Sequence, residues 1–265
     1  MNKTFLFYLL AFFACGNSNQ KAAIASAQTQ RKIIINPDSV AIKTLAYEFD
    51  SVNTLVRDNK ISKAQALEHL QRILPALQAA YKRLRPGKTK REHLVFPVVG
   101  YTSKAIGGTH GEGYNPNGYD YFDGNRHGGH PAQDIFIIDK NRDCKDDRNG
   151  KFVNVRSVTD GIAVASEKEW DNASPLRGGK YIWIYAPDEN VLFYYAHNHE
   201  VFVNPGQMVN AGDTIATVGR MGLNAFKQRS PTHLHFMELT LGEDFYPRPV
   251  NPYQALLKAE TNYKQ

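Results

Sequence analysis

The stretch Pro231-Thr232-His233-Leu234-His235-Phe236 decides how this chain is interpreted. It leads into an apolar-rich run over residues 236–239, which predicts a β-strand. Side chains two positions apart on a strand share one face and stand about 7 Å apart. His233 and His235 could therefore converge on one ion and its substrate. They could equally be two partly buried histidines that form hydrogen bonds with their neighbours. Only the residues upstream favour the interpretation as a metal site.

The composition predicts a folded protein with a basic surface. Hydrophobic residues make up 42% of the chain and aromatic residues 11%, enough for a packed core. The formal net charge of +6 favours anionic surroundings such as a polyanionic cell wall or a membrane. The charge is dispersed without an arginine-rich tract, so we expect no nucleic-acid partner.

Residues 1–15 have the pattern of a secretory signal peptide. Asn2-Lys3 precedes an apolar run over residues 5–14, which is too short to span a bilayer. The small residue followed by Cys15 resembles a bacterial lipoprotein signal, with Phe12 as a departure from its usual aliphatic residue. The alternative is ordinary signal cleavage with loss of Cys15.

A lipoprotein signal predicts a location and an anchor. We expect export to the cell envelope, with lipid on Cys15 holding the protein to a membrane on its periplasmic side. Residues 16–37 are polar and small, as in a linker that lifts the folded part off the membrane. Cys144 would then be the only other cysteine, so no internal disulfide could form.

Residues 38–87 predict a helical hairpin. Apolar residues recur near helical spacing over residues 38–57 and again after Ser62, a good N-cap residue. Asp58-Asn59-Lys60 supplies the turn, and Arg85-Pro86-Gly87 ends the second helix. The pair could be a regulatory or spacer element, or it could pack on the main domain. We favour a helical pair that packs on the main domain, because these residues contain no recognisable catalytic or binding motif.

Residues 94–255 predict a β domain, so the fold class is α+β with a mainly antiparallel domain after a helical pair. The short runs are bounded by turn residues and do not alternate with long helices. Residues 100–129 form a long Gly-, Tyr- and Asn-rich loop, and such loops often carry function. The predicted strands cover residues 94–99, 134–138, 161–165, 180–186, 191–196, 214–218 and the run after His235.

A second candidate ligand pair is His130-Pro131-Ala132-Gln133-Asp134. Glycines before it and Pro131 within it favour irregular backbone, so His130 can fold back beside Asp134. These two groups and another imidazole would make a three-ligand zinc set with an open fourth position, as in catalytic sites. An ordinary ion pair is the alternative. Further histidines, His197 and His199, follow an aromatic run, and either could be a solvent-exposed loop residue.

The ordered motifs resemble those of the lysostaphin- and LytM-type zinc metallopeptidases, which cut peptidoglycan peptides. The resemblance covers roughly residues 94–242. The motifs are HPAQD at 130–134, DGIAVAS at 160–166, YYAH at 194–197, VNPGQMVNAGDTIATVG at 203–219 and THLHF at 232–236. The family fold, with its duplicated hybrid motif, is mainly antiparallel β.

The resemblance implies a site. His130, Asp134 and His235 correspond to the family's zinc ligands, and His197 and His233 to its catalytic pair. It implies a zinc metalloendopeptidase that hydrolyses peptide cross-links of bacterial peptidoglycan. For a tethered envelope protein we expect a D-alanyl–diaminopimelate bond rather than a glycine bridge. The alternative is a catalytically silent or latent module that binds the wall or activates other wall hydrolases; a purely structural zinc protein is a weaker alternative.

Two insertions depart from the family pattern. The loop before His130 is enlarged, and it contains His110, Asn115, Asn117 and His127, each of which could supply an occluding ligand. A second insert spans residues 139–150, and its acids suggest a calcium loop. The glycine at the sharp turn and the closing glutamate of such a loop are missing, so we favour a solvated loop.

Overall fold

The computed structural model describes residues 36–227 and 230–261. It has an α+β fold with a pair of N-terminal helices and mostly antiparallel sheets, which confirms the predicted fold class. The predicted signal peptide, Cys15 and nearly all of the linker lie outside the described residues. Within the described residues, no helix has both the length and the apolar character needed to cross a bilayer.

Both N-terminal helices begin at side-chain caps. Helix α1 spans Pro37–Arg57, and the Asn36 side chain accepts a hydrogen bond from the backbone of Asp38. Helix α2 spans Lys63–Leu84 and begins with a capping box between Ser62 and Gln65. Their apolar stripes pack on each other and on the main sheet; together the helices and the β domain form one compact unit.

The main sheet has seven strands in the order β1-β11-β7-β6-β5-β9, with β12 paired to β11. Every pairing in it is antiparallel. Its strands are β1 Ala132–Phe136, β5 Gly161–Glu167, β6 Tyr181–Ala186, β7 Val191–Ala196, β9 Met208–Val209, β11 His233–Thr240 and β12 Arg248–Val250.

Two small sheets and two short helices complete the β domain. The small sheets contain β4 Asn154–Arg156, β10 Thr214–Thr217 and β8 Glu200–Val201, and separately β2 Lys145–Asp146 and β3 Lys151–Phe152. The helices are α3 Leu223–Lys227 and α4 Tyr253–Lys258. One face of the main sheet packs on α1 and α2, and the other covers a second apolar core.

The loop over residues 100–129 packs against helix α1. It contains two 3-10 turns, Ser103–Ala105 and Tyr121–Arg126. The Tyr121 hydroxyl donates to the buried Asn53 side chain at 3.1 Å. Gly124 has a φ of +53° and lies so close to the backbone of Val56 and Arg57 that a Cβ would overlap them. The helical pair thus supports the loop directly.

The acids of the second insert bind the protein's own donors. Asp139 accepts hydrogen bonds from the backbone of Asp143 and Cys144 and from the Thr232 hydroxyl. Asp146 is paired with Arg148. These contacts tie the insert to itself and to the start of β11.

Candidate metal centre

The antiparallel register of three strands assembles the candidate ligands. On β1, Asp134 lies opposite His235 of β11. On its other side, His235 lies opposite Ala196, the last residue of β7, and His197 follows. Because neighbouring strands are about 4.8 Å apart, this register alone brings the side chains within reach of one another.

The three predicted ligands meet around Asp134. Its Oδ1 lies 3.2 Å from Nε2 of His130 and 3.1 Å from Nδ1 of His235. One ligand atom from each residue lies within 4.8 Å of the other two. Burial acts to raise the pKa of Asp134, but hydrogen bonds with both imidazoles outweigh it and hold that pKa well below its usual range. The carboxylate therefore stays ionised.

The proton positions fit a cation at this cluster. His130 Nδ1 lies 2.7 Å from the Gly113 carbonyl oxygen, which can only accept, so Nδ1 carries the proton. In the neutral ring, Nε2 then presents a lone pair to the Asp134 carboxylate. Two facing acceptors need a positive charge, either a second ring proton or a metal ion. Two imidazole nitrogens and one carboxylate oxygen form a donor set that zinc takes in catalytic sites.

His197 and His233 stand beside the cluster with their rings oriented by backbone carbonyls. His233 Nδ1 lies 2.7 Å from the Pro231 carbonyl oxygen, and its Nε2 is 3.7 Å from Asp134 Oδ1. His197 Nδ1 lies 3.0 Å from the Met221 carbonyl oxygen. In both rings this leaves Nε2 as the nitrogen that can accept a proton. Burial, followed by the nearby His233 and His235, lowers the pKa of His197 well below its usual value.

All five predicted site residues line one open cavity of about 500 Å³. The ring centroids of His197 and His233 are 5.0 Å apart, and those of His197 and His235 are 5.6 Å apart. The main sheet supplies one wall, and the neighbouring loops and helix α3 supply the rest.

His199 lies elsewhere. Its ring stacks on Phe152 with the centroids 4.3 Å apart, and its backbone donates to Thr217. It does not line the cavity. Of the two histidines after β7, His197 is therefore the one that meets the other four site residues.

The four possible occluding ligands in the enlarged loop do not join the cluster. Among the described residues, the metal-ligating group of His and acidic side chains contains neither His110 nor His127. The Asn115 side chain accepts from the backbone of Asn117, and neither asparagine lines the cavity. His127 does line it, with Nδ1 2.9 Å from the Gly128 carbonyl oxygen.

Sequence reasoning missed several polar residues of the cavity, including Asn224 and Ser230. Arg177 and Tyr194 both line it. Tyr194 stood in the YYAH motif, where its aromatic run was assigned only to a strand. Arg177 lies in a loop with no recognisable motif, and the only signal near it is the Gly178-Gly179 pair that follows.

One family model matches the chain. It is described as Peptidase family M23 and matches residues 147–251. That span includes His197, His233 and His235, and it begins after His130, Asp134 and the enlarged loop.

Several solved structures are similar to this chain. A protein assigned as a glycyl-glycine endopeptidase lytM, from Ruminococcus gnavus, is 22% identical over 87% of this chain and 93% of its own, with a TM-score of 0.41. A zinc-containing peptidase from Vibrio cholerae is 22% identical over 64% of this chain, with a TM-score of 0.39; the match spans only 40% of that protein. The catalytic domain of lysostaphin from Staphylococcus simulans is 23% identical over 49% of this chain and 81% of its own, with a TM-score of 0.35.

The family match and the ordered motifs refer to the same β domain. The matched span includes the YYAH and THLHF motifs, which supply three of the five predicted site residues of the cavity. Residues 147–251 of the β domain are therefore similar to peptidase family M23, and the motifs of the same domain resemble those of the lysostaphin- and LytM-type peptidases.

Proposed function

We propose that this protein is a zinc metalloendopeptidase that hydrolyses peptide cross-links of bacterial peptidoglycan. The observation that carries the proposal is the convergence of His130, Asp134 and His235 within 4.8 Å in an open cavity. The match of residues 147–251 to a peptidase family model and the two additional histidines beside the cluster support it.

The three ligands would hold zinc through His130 Nε2, a carboxylate oxygen of Asp134 and His235 Nδ1, leaving a fourth position open. Zinc bound there would polarise a scissile carbonyl and lower the pKa of water toward about 7. Gly113 orients His130 through its Nδ1 proton, and such orientation of a ligand strengthens metal binding.

His197 and His233 would act as the general base and general acid of the reaction. Each ring has its Nδ1 held by a backbone carbonyl oxygen, so each enters the reaction in a fixed orientation with Nε2 as the nitrogen that can accept a proton. Between them they would take a proton from the attacking water, deliver it to the leaving amine nitrogen and stabilise the developing oxyanion. The geometry allows either ring to take either task.

We also propose that the protein works at the cell envelope as a lipoprotein acylated on Cys15. The sequence of residues 1–15 supports this, and a basic chain suits an anionic wall. Labelling cells with a fatty-acid analogue tests it: the full chain should carry label, whereas Cys15→Ala should carry none and leave the membrane fraction. Equal membrane association of the two would contradict the anchor.

The function is tested with the full chain purified in detergent. Metal analysis should find about one zinc per chain, and incubation with purified sacculi should release fragments that mass spectrometry assigns to cleaved cross-links. A protein that binds zinc but releases nothing, alone or after chelation and reloading, would be the silent or latent module. A folded protein that binds no zinc would contradict the proposed site.

A further inference from the structure

Arg177 places a positive charge in the wall of the cavity without an acidic partner. One guanidinium nitrogen, Nη1, donates to the His127 carbonyl oxygen at 2.5 Å. Among the described residues, no carboxylate forms an ion pair with Arg177, and no acceptor forms a hydrogen bond with its Nε or Nη2 groups. Arg57 on helix α1 is different, because it is paired with Asp58 and Glu167, both at 2.8 Å.

The enlarged loop holds Arg177 in position. The backbone N–H of Arg177 donates to the Asn125 side chain at 3.0 Å, and Asn125 in turn donates to the Pro175 carbonyl oxygen. The loop therefore contacts Arg177 at both ends, through its backbone and through its guanidinium group. A long side chain fixed in this way loses less conformational entropy when it binds a ligand.

The residues after Arg177 fix its distance from the histidines. The Gly178 carbonyl oxygen accepts from the backbone N–H of His197 at 3.0 Å. Gly178 lies against the Tyr194 hydroxyl, and Gly179, with φ at +61°, lies against Met221, where a side chain would overlap. Arg177 is thus tied to the same turn that presents His197.

A second, aromatic cavity adjoins the first at this point. Arg177, Tyr194 and Gly178 line both cavities. Among the described residues the Tyr194 hydroxyl has no hydrogen-bond partner, and it lies against Gly178 as a second possible donor. The walls of the aromatic cavity come from Tyr119, Tyr121, Tyr181, Trp183, Tyr194 and Met237.

These donors suit a carboxylate. A guanidinium group presents its N–H bonds in a planar fork that matches the two oxygens of a carboxylate, and charge-assisted bonds of this kind are stronger than neutral ones. The His127 carbonyl uses only part of that fork. Asp134, which lines the same cavity, already contacts the imidazoles of His130 and His235 and is not paired with Arg177.

We propose that Arg177 is a specificity-determining residue that binds a free carboxylate of the substrate beside the scissile bond. This inference rests on the proposed function, since it takes the cavity as the site of a peptide. It names the substrate class as acidic cross-linked peptides rather than neutral glycine bridges, which have no carboxylate at this position. The carboxylate could come from a branch at the cross-link or from the end of a peptide strand.

Synthetic cross-linked peptide dimers test the inference and distinguish these sources. One dimer has a free carboxylate only on the residue beside the cross-link, one only at the strand terminus, and one has carboxamides at both places. Zinc-loaded full chain should cut one of the acidic dimers with a kcat/KM roughly 10- to 100-fold above that of the carboxamide dimer. Whichever acidic dimer is preferred identifies the source.

Variants assign the preference to Arg177. Arg177→Gln should lower kcat/KM for the preferred acidic dimer to the level of the carboxamide dimer while leaving cleavage of the latter within about twofold. Arg177→Lys should retain part of the preference, because an ammonium keeps the charge without the planar fork. Arg126→Gln is the matched control, since Arg126 is an exposed arginine of the same loop that does not line the cavity. Zinc content and circular dichroism should be unchanged in all three.

The outcomes separate this inference from the proposed function. Equal cleavage of acidic and carboxamide dimers by the wild type, or a preference that survives in Arg177→Gln, would overturn the role of Arg177 and leave the peptidase intact. Digestion of sacculi with none of the dimers cut would do the same. Failure of the zinc-loaded wild type on both dimers and sacculi would overturn the proposed function itself.

Discussion

The two ends of the cavity are built in different ways. At the metal end, His130, Asp134 and His235 meet because β1 and β11 are neighbours in the sheet, with Asp134 directly opposite His235. At the other end, Arg177 is placed by loops, through Asn125 and the His127 carbonyl. Strand register therefore sets the geometry of the candidate metal cluster, while the loop that rests on helix α1 sets the position of Arg177. Substitutions at the metal end should therefore affect zinc binding and activity, and substitutions at the loop end should leave zinc binding unchanged.

The largest effect is expected at the metal end. His235→Ala removes one of three ligands, so the protein should lose zinc and its activity should fall by about 10³-fold or more. Metal analysis and cleavage assays check this. His199→Ala is the matched control, because His199 is two residues from His197 yet stacks on Phe152 outside the cavity. Retained zinc in His235→Ala would show that the three residues do not form one site.

A smaller loss is expected from a histidine that does not ligate. His233→Ala should keep zinc and lose about 10²- to 10⁴-fold in kcat, the range of general acid–base catalysis. Its ring lies beside Asp134 but is oriented by the Pro231 carbonyl, so its removal leaves the ligand geometry in place. Wild-type turnover in this variant would exclude His233 from the reaction.

The link between the loop and helix α1 should affect stability more than chemistry. Tyr121→Phe removes the donor to Asn53 and leaves a buried acceptor without that bond, which should cost about 1–3 kcal/mol in the free energy of unfolding. Denaturant titration measures this loss. Zinc content should not change, because no ligand of the cluster contacts Tyr121. Loss of zinc in this variant would mean that the two ends are not independent.

The smallest effect concerns the pH dependence of stability. Burial raises the pKa of Asp50, on helix α1, to about 6 from an unfolded value of 3.8. A raised folded pKa means that the contribution of Asp50 is greatest below pH 3.8 and is lost as the pH rises through about 6. Because Asp50 is partly exposed, we expect a change of only about 1–2 kcal/mol.

Asp50→Asn is the matched variant for that measurement. Its amide oxygen can still accept from the Ser166 backbone, as Asp50 does at 3.2 Å, but it does not titrate. The difference in unfolding free energy between wild type and variant should therefore shift in favour of the variant from pH 4 to pH 7. A constant difference would contradict the raised pKa.

Patterns with a fixed period were predictable from sequence. The helical pair follows apolar spacing and the Ser62 cap, and the strands follow short apolar runs between turns. The shared face of His233 and His235 follows from the two-residue repeat of a strand. The pairs alone left other interpretations open, and the resemblance to the lysostaphin- and LytM-type family was what assigned His130, Asp134 and His235 to one cluster.

Contacts between irregular segments were not predictable in the same way. The position of Arg177 depends on Asn125 and on the turn at Met221, which are distant from it in sequence and follow no period. Sequence reasoning identified residues 100–129 as a long loop that could carry function, and considered four of its side chains as occluding ligands. The loop instead contributes a carbonyl to His130 and another to Arg177.

The close contact of Gly124 with the backbone of helix α1 has a consequence for truncated forms of the protein. A shortened protein starting after Leu84 would expose the sheet face that packs on α1 and α2, and the 3-10 turn at Tyr121–Arg126 would lose the backbone against which it rests. Such a fragment should be less stable and should discriminate poorly among peptides. The amino-terminal helices thus contribute to the proposed substrate site, and an assay on the excised β domain would understate its selectivity.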